Sequence, residues 1–190
     1  MKKGHIFVIS APSGCGKTTV SKAVVKNTEN LSLSVSATTR KPRSGEKNKK
    51  DYHYISEKSF REGIKKGRFL EWEKKFEYFY GTPREFVLET LKKGRDLLLS
   101  IGVKGAMNVK KKFPESTLVF LKPPSMKELT ARLKARNTDE EAEITKRVEE
   151  AKEELAYAPK YDYVIVNNKL DKAVNGVLAI INKERKKQEG

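Results

Sequence analysis

The residues with the clearest chemical meaning form the run Ala-Pro-Ser-Gly-Cys-Gly-Lys-Thr at positions 11–18. The run follows an apolar stretch of strand length and precedes a stretch with helical periodicity, which is the context that a phosphate-binding loop requires. Gly14 and Gly16 let backbone N–H groups turn inward around phosphate oxygens, and the following helix adds its positive N-terminus. In such a loop Lys17 reaches the β- and γ-phosphates, and the Thr18 hydroxyl can ligate Mg²⁺.

A loop of this kind predicts a nucleoside triphosphate as ligand and leaves GTPases, ATPases and kinases open. Ala11 stands where the usual pattern has glycine, and a small residue still fits there. Cys15 has no histidine nearby in the sequence, which favours a neutral filler over a nucleophile. The predicted nucleotide-binding residues of the loop are Ala11, Pro12, Ser13, Gly14, Cys15, Gly16, Lys17, Thr18 and Thr19.

The composition excludes several classes of protein. The chain has 190 residues, enough for one compact domain, and its single cysteine rules out a disulfide framework and a cysteine-cluster metal site. No apolar stretch approaches the roughly 18 residues needed to span a bilayer. The apolar part of MKKGHIFVIS is shorter than the roughly 7–15 residues of a secretory signal. We therefore expect a cytoplasmic protein that does not bind membranes.

Positive charge is in excess, with 41 Lys and Arg against 25 Asp and Glu and a net charge of +16. Lys and Glu interleave on the predicted helices, which is typical of solvated helix faces. We therefore expect no specific nucleic-acid partner. Nucleic-acid binding stays an alternative, and it predicts an affinity that falls steeply with salt. The excess charge would also attract phosphorylated substrates.

The elements that must position the loop alternate between strands and helices, which predicts a parallel sheet with right-handed crossovers. The interval from about 37 to 85 breaks the alternation and is aromatic and mostly β in pattern. Strands are predicted at 5–10, 31–35, 52–55, 96–101, 117–121 and 163–167, with two more within 69–80. Helices are predicted at 19–27, 57–66, 84–93, 103–112, 140–157 and 171–187, and from a cap at Ser125 to 136.

Six ordered segments besides the loop resemble motifs of the guanylate kinase family: SVSATTRKPRSGEKNKKDY (34–52), FLEW (69–72), FYGT (79–82), KPPS (122–125), RNTDEE (136–141) and AKEEL (151–155). The resemblance runs from about residue 4 to residue 185. It implies an α/β fold with a P-loop NTPase-type parallel β-sheet core flanked by helices, a small mostly β GMP-binding insertion and a helical lid. The implied boundaries are a core at 1–36 and 86–190, a GMP-binding part at 37–85 and a lid at about 126–157, within a single domain 4–185.

The resemblance implies transfer of a phosphoryl group from ATP to GMP with Mg²⁺, forming GDP in purine nucleotide metabolism, with dGMP left open as a second acceptor. Glu71 matches the carboxylate that accepts hydrogen bonds from guanine N1 and the exocyclic amine, and adenine offers no such donor pair. Taken alone, Glu71 would be a solvated charge on a strand. Arginines and tyrosines match the positions that hold the acceptor phosphate. The implied GMP-binding residues are Ser36, Arg40, Arg43, Tyr52, Glu71, Tyr80, Gly81 and Thr82.

Two arginines, Arg136 and Arg147, match lid residues that close over the transferring phosphate and exclude water. Without the resemblance they would be a surface pair on a charged helix. Asn167 and Asn168 match the family segment near adenine and complete the ATP-binding set. The implied catalytic residues are Lys17, Arg43, Arg136 and Arg147, and the implied metal ligand is Thr18.

One departure from the family pattern lies at the end of the predicted strand at 96–101. The family has an acid, an aliphatic residue, Asp and then a glycine three residues on, whereas this chain has Ser100, Ile101, Gly102 and Gly105. Both missing acids belong near the nucleotide and the metal shell. We therefore expect reduced activity, and a disabled relative or an altered variant are the other accounts.

The small-molecule partners implied are ATP and GMP, and the sequence leaves monomer and homodimer open. An alternative is a catalytically impaired guanylate-kinase-like domain that binds GMP or a phosphorylated protein through the acceptor-phosphate arginines. Scaffolding relatives of that kind commonly lack a working phosphate loop, whereas this chain keeps its loop.

Overall fold

A computed structural model describes residues 3–135 and 141–188 of the chain. The strands are β1 Ile6–Ser10, β2 Leu31–Leu33, β3 Ala37–Thr38, β4 His53–Tyr54, β5 Phe69–Lys75, β6 Tyr78–Pro83, β7 Asp96–Ser100, β8 Thr117–Lys122 and β9 Tyr163–Val166. The helices are α1 Lys17–Lys26, α2 Glu57–Lys65, α3 Arg84–Lys92, α4 Val103–Lys112, α5 Met126–Lys134, α6 Glu141–Leu155 and α7 Leu170–Lys187.

The large sheet is parallel and has the strand order β2-β7-β1-β8-β9. Its central strands are apolar runs, and all five residues of β1 are buried, because helices cover both faces. On one face α1 and α7 contribute residues such as Val24 and Val177, and on the other α3 and α4 contribute residues such as Leu91 and Val109. The predicted α/β fold with a parallel core flanked by helices is confirmed.

The small sheet has the order β4-β3-β6-β5, with antiparallel pairs between β3 and β6 and between β5 and β6. Its strands lie between residues 37 and 83, and the two strands predicted within 69–80 are both present. Helix α2 packs on this sheet through Phe60, whose ring lies 4.3 Å from the ring of Phe69. Phe60 and Phe79 are buried in a cluster separate from the large core.

Two helix starts have local causes that matter later. The pattern predicts a helix from residue 19, but α1 begins at Lys17 because Gly16, with φ 76°, turns the chain directly into the helix. The predicted cap at Ser125 is confirmed, since its Oγ accepts a hydrogen bond from the Glu128 N–H at 3.1 Å. Across residues 3–135 and 141–188, no helix is long and apolar enough to cross a membrane.

Candidate active site

A cavity of about 250 Å³ lies where the carboxyl ends of β1 and β7 face the small sheet. Residues 11–14 and 16–19 of the phosphate loop form one wall, and residues 100–102 after β7 form its base. The small sheet and the loop that precedes β4 form the opposite wall. Parallel strands present their carboxyl ends at one edge, and this edge is where open α/β sheets bind ligands.

The donor loop depends on two glycines in the left-handed region, Gly14 with φ 88° and Gly16 with φ 76°. The Lys17 Nζ donates a hydrogen bond across the cavity to the Ile101 carbonyl oxygen at 3.0 Å. Burial lowers the pKa of Lys17, and the charge of Lys75 lowers it further, against the pull of nearby carboxylates. An anionic ligand that reaches Lys17 would therefore stabilise its buried positive charge.

Asn167 supports the donor loop from the end of β9. Its Nδ2 donates to the Cys15 carbonyl oxygen at 2.8 Å, and its own carbonyl accepts from Arg132 at 3.2 Å. Both Asn167 and Cys15 are buried, whereas Asn168 is exposed. Burial raises the pKa of Cys15 to about 12, so the thiol is neutral at physiological pH. The cavity lining includes neither asparagine, and their contact with adenine stays a prediction.

A glutamate that the sequence reasoning missed organises the arginine wall. Glu46 accepts hydrogen bonds from Arg40 Nη2 at 2.9 Å, from the Arg43 N–H at 2.7 Å and from the Tyr54 hydroxyl at 2.8 Å. Burial alone would raise the pKa of Glu46, but these hydrogen bonds lower it to about 2. Its only signal in the sequence is its position inside the segment 34–52.

The predicted phosphate-binding side chains meet on this wall. Arg40, Arg43, Tyr52 and Tyr80 all line the cavity. The guanidinium carbon of Arg40 lies 5.5 Å from the centre of the Tyr52 ring, and the rings of Tyr52 and Tyr80 are 6.1 Å apart. The Arg40 Nη1 donates to the Lys41 carbonyl oxygen at 2.7 Å and Nη2 donates to Glu46, so these hydrogen bonds and the Tyr52 ring together fix the plane of the guanidinium group.

Glu71 is a buried carboxylate that lines the cavity. The Thr82 hydroxyl donates to Glu71 Oε1 at 2.5 Å. Burial raises the pKa of Glu71 to about 7, although the hydrogen bond from Thr82 acts in the opposite direction. Thr82 therefore lies behind Glu71 and orients it, while Ser36 and Gly81 line the cavity beside it.

Two further residues of β5, Glu73 and Lys75, also line the cavity, and the sequence reasoning missed both. They follow Glu71 at intervals of two, so all three point to the same face of the strand. That alternation was the available signal in the run FLEWEKK. Lys75 forms ion pairs with Glu154 at 2.8 Å and Glu150 at 3.4 Å, which link β5 to α6.

Of the two predicted lid arginines, Arg147 lies on α6, is buried and lines the cavity. Arg136 lies outside the described residues. At the base of the cavity, Ser100 and Gly102 stand where the two acids are expected, with Ile101 between them. Within the part of the chain that the structure describes, no three acidic, histidine or cysteine residues are grouped so as to hold a metal ion by themselves.

Comparison with known proteins gives a consistent result. A family model described as guanylate kinase matches residues 3–184. The guanylate kinase of Caldanaerobacter subterraneus subsp. tengcongensis is 49% identical over 184 residues, covering 97% of this chain and 89% of the relative. That of Wolbachia pipientis wMel is 47% identical over 187 residues, covering 98% and 93%.

Solved structures agree with this comparison. The crystal structure of guanylate kinase from Anaplasma phagocytophilum matches with a TM-score of 0.82 and 32% identity, covering 97% of this chain and 87% of that one. A shikimate kinase from Bacteroides thetaiotaomicron, at 14% identity and a TM-score of 0.52, shares the fold alone.

Proposed function

The chain belongs to the guanylate kinase family, and on the basis of its site we propose that it phosphorylates GMP with ATP. An oxygen of the GMP phosphate attacks the γ-phosphorus of ATP, and the bond from that phosphorus to the β–γ bridging oxygen breaks, giving ADP and GDP. The observation that carries the proposal is that one cavity joins a phosphate loop, a pair of arginines and the buried carboxylate Glu71.

On the donor side, the backbone N–H groups of the loop would hold the β- and γ-phosphates of ATP. Lys17 would exchange its hydrogen bond with the Ile101 carbonyl for one with a phosphate oxygen. Because Lys17 is partly desolvated before the nucleotide arrives, water screens its attraction to the charge of the transferring group less than it would for a surface lysine. Asn167 would keep the loop in shape by holding the Cys15 carbonyl.

On the acceptor side, Arg40 and Arg43 would neutralise the GMP phosphate, with Tyr52 and Tyr80 as neutral donors. This charge lowers the repulsion between the attacking oxygen and the γ-phosphate. Phosphoryl transfer requires alignment and charge neutralisation more than covalent assistance, and the arginines would supply both.

Base choice would rest on Glu71. Its carboxylate can accept hydrogen bonds from guanine N1–H and the 2-amino group, whereas adenine presents a bare N1 acceptor to the same atoms. Thr82 fixes the carboxylate plane through its bond to Oε1, and Ser36 also lines the cavity. An acceptor that lacks these donors would leave a buried carboxylate unpaired, which is a strong basis for rejection.

The family implies a magnesium ion, and the donor set here fits one. Mg²⁺ typically takes few protein ligands together with substrate phosphates and water. Thr18 follows Lys17 in the loop and lines the cavity, as does Ser100, so the Thr18 hydroxyl would hold the ion. Bound there, Mg²⁺ would neutralise charge on the β- and γ-phosphates.

We also propose the division into a core at 1–36 and 86–190, a GMP-binding part at 37–85 and a lid at about 126–157. The separate small sheet and its separate apolar cluster support the GMP-binding part. The position of Arg147 on α6, facing the cavity, supports the lid. An enzyme that acts on free nucleotides is expected in the cytoplasm.

The test is an ADP-release assay with ATP, Mg²⁺ and each of GMP, dGMP, AMP, CMP and UMP. We expect turnover with guanine nucleotides alone. Glu71→Gln should lower kcat/KM for GMP by about a hundredfold, while Glu77→Gln, on an exposed turn of the same sheet, should leave it unchanged. Absence of ADP above background with GMP would contradict the proposal.

A further inference from the structure

Glu73 occupies the space that a side chain at position 102 would need. A Cβ atom added to Gly102 would overlap Glu73 Oε1 and would lie 2.7 Å from its carboxyl carbon. Gly102 itself has φ −72° and ψ 168°, a conformation open to any residue and typical of the aspartates that cap helices. The glycine is therefore not demanded by the backbone, and the carboxylate of Glu73 fills the place beside it.

Glu71 and Glu73 form a pair of carboxylates along one short stretch of chain. They lie on the same face of β5, with Cα atoms about 7 Å apart as for any residues two positions apart on a strand. Glu73 lies against Gly102, and Glu71 lies against Gly105, where an added Cβ would be 3.0 Å from its carboxyl carbon. Both carboxylates line the cavity, so both face a bound acceptor.

Glu73 interacts with charged side chains from several elements around the cavity. Lys17 and Lys75 attract it, Lys104 on α4 adds a weaker attraction, and Glu154 on α6 repels it. Burial raises the pKa of Glu73, and the two nearer lysines oppose that rise. Its charge thus offsets part of the positive charge at the base of the cavity, where the residues after β7 carry no acid.

The chemistry of guanine calls for a second acceptor group here. Its N1–H and its 2-amino group present several N–H donors along one edge. One oxygen of Glu71 already accepts from Thr82, so the Glu71 carboxylate enters the complex with part of its capacity in use. The next carboxylate along the same face is Glu73.

We infer that Glu73 is the second carboxylate of the acceptor site, that it replaces the acid absent from position 102, and that it accepts a hydrogen bond from the guanine 2-amino group. The inference rests on the proposed GMP kinase function. It assigns the recognition of the 2-amino group to a residue of the small sheet, whereas the family pattern has its acid just after β7. The absence of acids at positions 100 and 102 then reflects relocation of a charge and does not predict a disabled site.

The test compares GMP with IMP, which lacks only the 2-amino group. The full chain is assayed as wild type, Glu73→Gln, Gly102→Asp and the double variant Glu73→Ala with Gly102→Asp, with Glu77→Gln as control. We expect Glu73→Gln to lower kcat/KM for GMP by about ten- to a hundredfold and to change that for IMP less than about threefold. The double variant should recover GMP activity to within about tenfold of wild type, because it moves the acid back to the strand end.

Gly102→Asp alone should lower activity, because its side chain would collide with Glu73 and add a like charge. An increase in this variant would overturn the inference, since it would mean that the site lacks a second acid. Equal losses with GMP and IMP in Glu73→Gln would overturn it as well, because Glu73 would then act on Lys17 and not on the base. Binding of a fluorescent ATP analogue and the melting temperature check that each variant is folded.

The two proposals fail in different ways. If the wild-type chain releases no ADP with GMP, the proposed function fails and the role of Glu73 fails with it. If the wild type is active and the GMP-to-IMP preference of Glu73→Gln equals that of wild type, the inference about Glu73 alone fails.

Discussion

The large and small sheets contribute to the cavity by different means. The large sheet is buried on both faces, and at its edge it offers the backbone of the phosphate loop and the single ammonium of Lys17. The small sheet and the loop that precedes β4 line the other side of the cavity, and they offer carboxylates, guanidinium groups and hydroxyls from side chains. Phosphate recognition by the loop thus depends mainly on main-chain geometry, and base recognition depends on side chains.

This difference has a consequence for which substitutions each side can absorb. The loop has alanine at position 11 and a buried cysteine at position 15, because the N–H groups it offers do not depend on those side chains. It depends instead on Gly14 and Gly16 and their positive φ angles. A site made of side chains depends little on backbone conformation at any one position. A carboxylate from another element can then reach the same point, as we infer for Glu73.

The two sheets also differ in how much apolar packing holds them. The large sheet lies between two extensive clusters of buried residues, whereas the small sheet is packed around Ala37, Phe60 and Phe79 with a few partly buried neighbours. Regions with few buried apolar contacts open at lower free energy. We therefore expect the acceptor side to open locally while the donor side stays folded.

The largest expected effect breaks the donor side. Lys17→Met should reduce kcat by about a thousandfold, because it removes the one side-chain charge that the loop adds to its backbone groups. The free energy of unfolding should not fall, since the variant also removes a desolvated ammonium from the empty site. Steady-state kinetics and thermal unfolding measure the two quantities on the same preparation.

Lys26→Met is the matched control, because this lysine lies on the same helix but is exposed at its end. It should change neither rate nor melting temperature appreciably. If Lys17→Met retained most of the activity, the loop would be acting through its backbone alone, and the role assigned to Lys17 would be wrong.

A medium effect tests the acceptor side through pH. Burial raises the pKa of Glu71 to about 7, and only the ionised carboxylate accepts both guanine donors. GMP affinity should therefore rise about tenfold from about pH 6 to about pH 8, with a proton released on binding. Calorimetry in buffers of different ionisation enthalpy measures that proton. Glu71→Gln should retain only the pH dependence that comes from the phosphate of GMP.

The same group affects stability with the opposite dependence on pH. The pKa of Glu71 in the folded state lies above the usual 4.5, so the folded state binds its proton more tightly than the unfolded state does. The contribution of Glu71 to the free energy of unfolding is therefore full below about pH 4.5 and is lost as the pH rises through about 7. Relative to Glu71→Gln, the empty wild type should lose about 3 kcal/mol over that range. Urea unfolding of both proteins at several pH values would detect the change, and parallel curves would refute the raised pKa.

The smallest effect compares equivalent helix caps in the two regions. Ser56 caps α2 beside the small sheet and Ser125 caps α5 beside the large one, each accepting from a backbone N–H at 3.1 Å. Replacing either with alanine should cost about 1 kcal/mol. We expect Ser56→Ala to speed hydrogen exchange in α2 about fivefold with little change in global unfolding, and Ser125→Ala to lower global stability. Identical global losses would mean that the small sheet does not open by itself.

The sequence predicted the parallel core, the phosphate loop and the paired strands of the insertion because each is encoded by neighbouring residues. The loop is contiguous, and strand periodicity is local, so both could be recognised without coordinates. Glu73 and Lys75 could not, because their importance comes from partners distant in sequence, Gly102 for Glu73 and Glu154 for Lys75. The partners of Glu46 are close in sequence, but only the fold of the loop brings their hydrogen-bonding groups onto one carboxylate. The start of α1 was placed two residues late because the turn at Gly16 is a backbone effect that apolar periodicity does not reveal.

The single cysteine of the chain has a practical consequence. Cys15 lies inside the donor loop, packed in the same apolar cluster as Leu129 and Leu133, and its pKa is raised to about 12. The thiolate is the form that reacts with alkylating reagents, so Cys15 in the native protein should react only when the loop opens. The rate of alkylation thus reports how often the donor loop opens, and the measurement needs no engineered label. Adding ATP should lower the rate of alkylation, and the size of the decrease measures how strongly the bound nucleotide favours the closed loop.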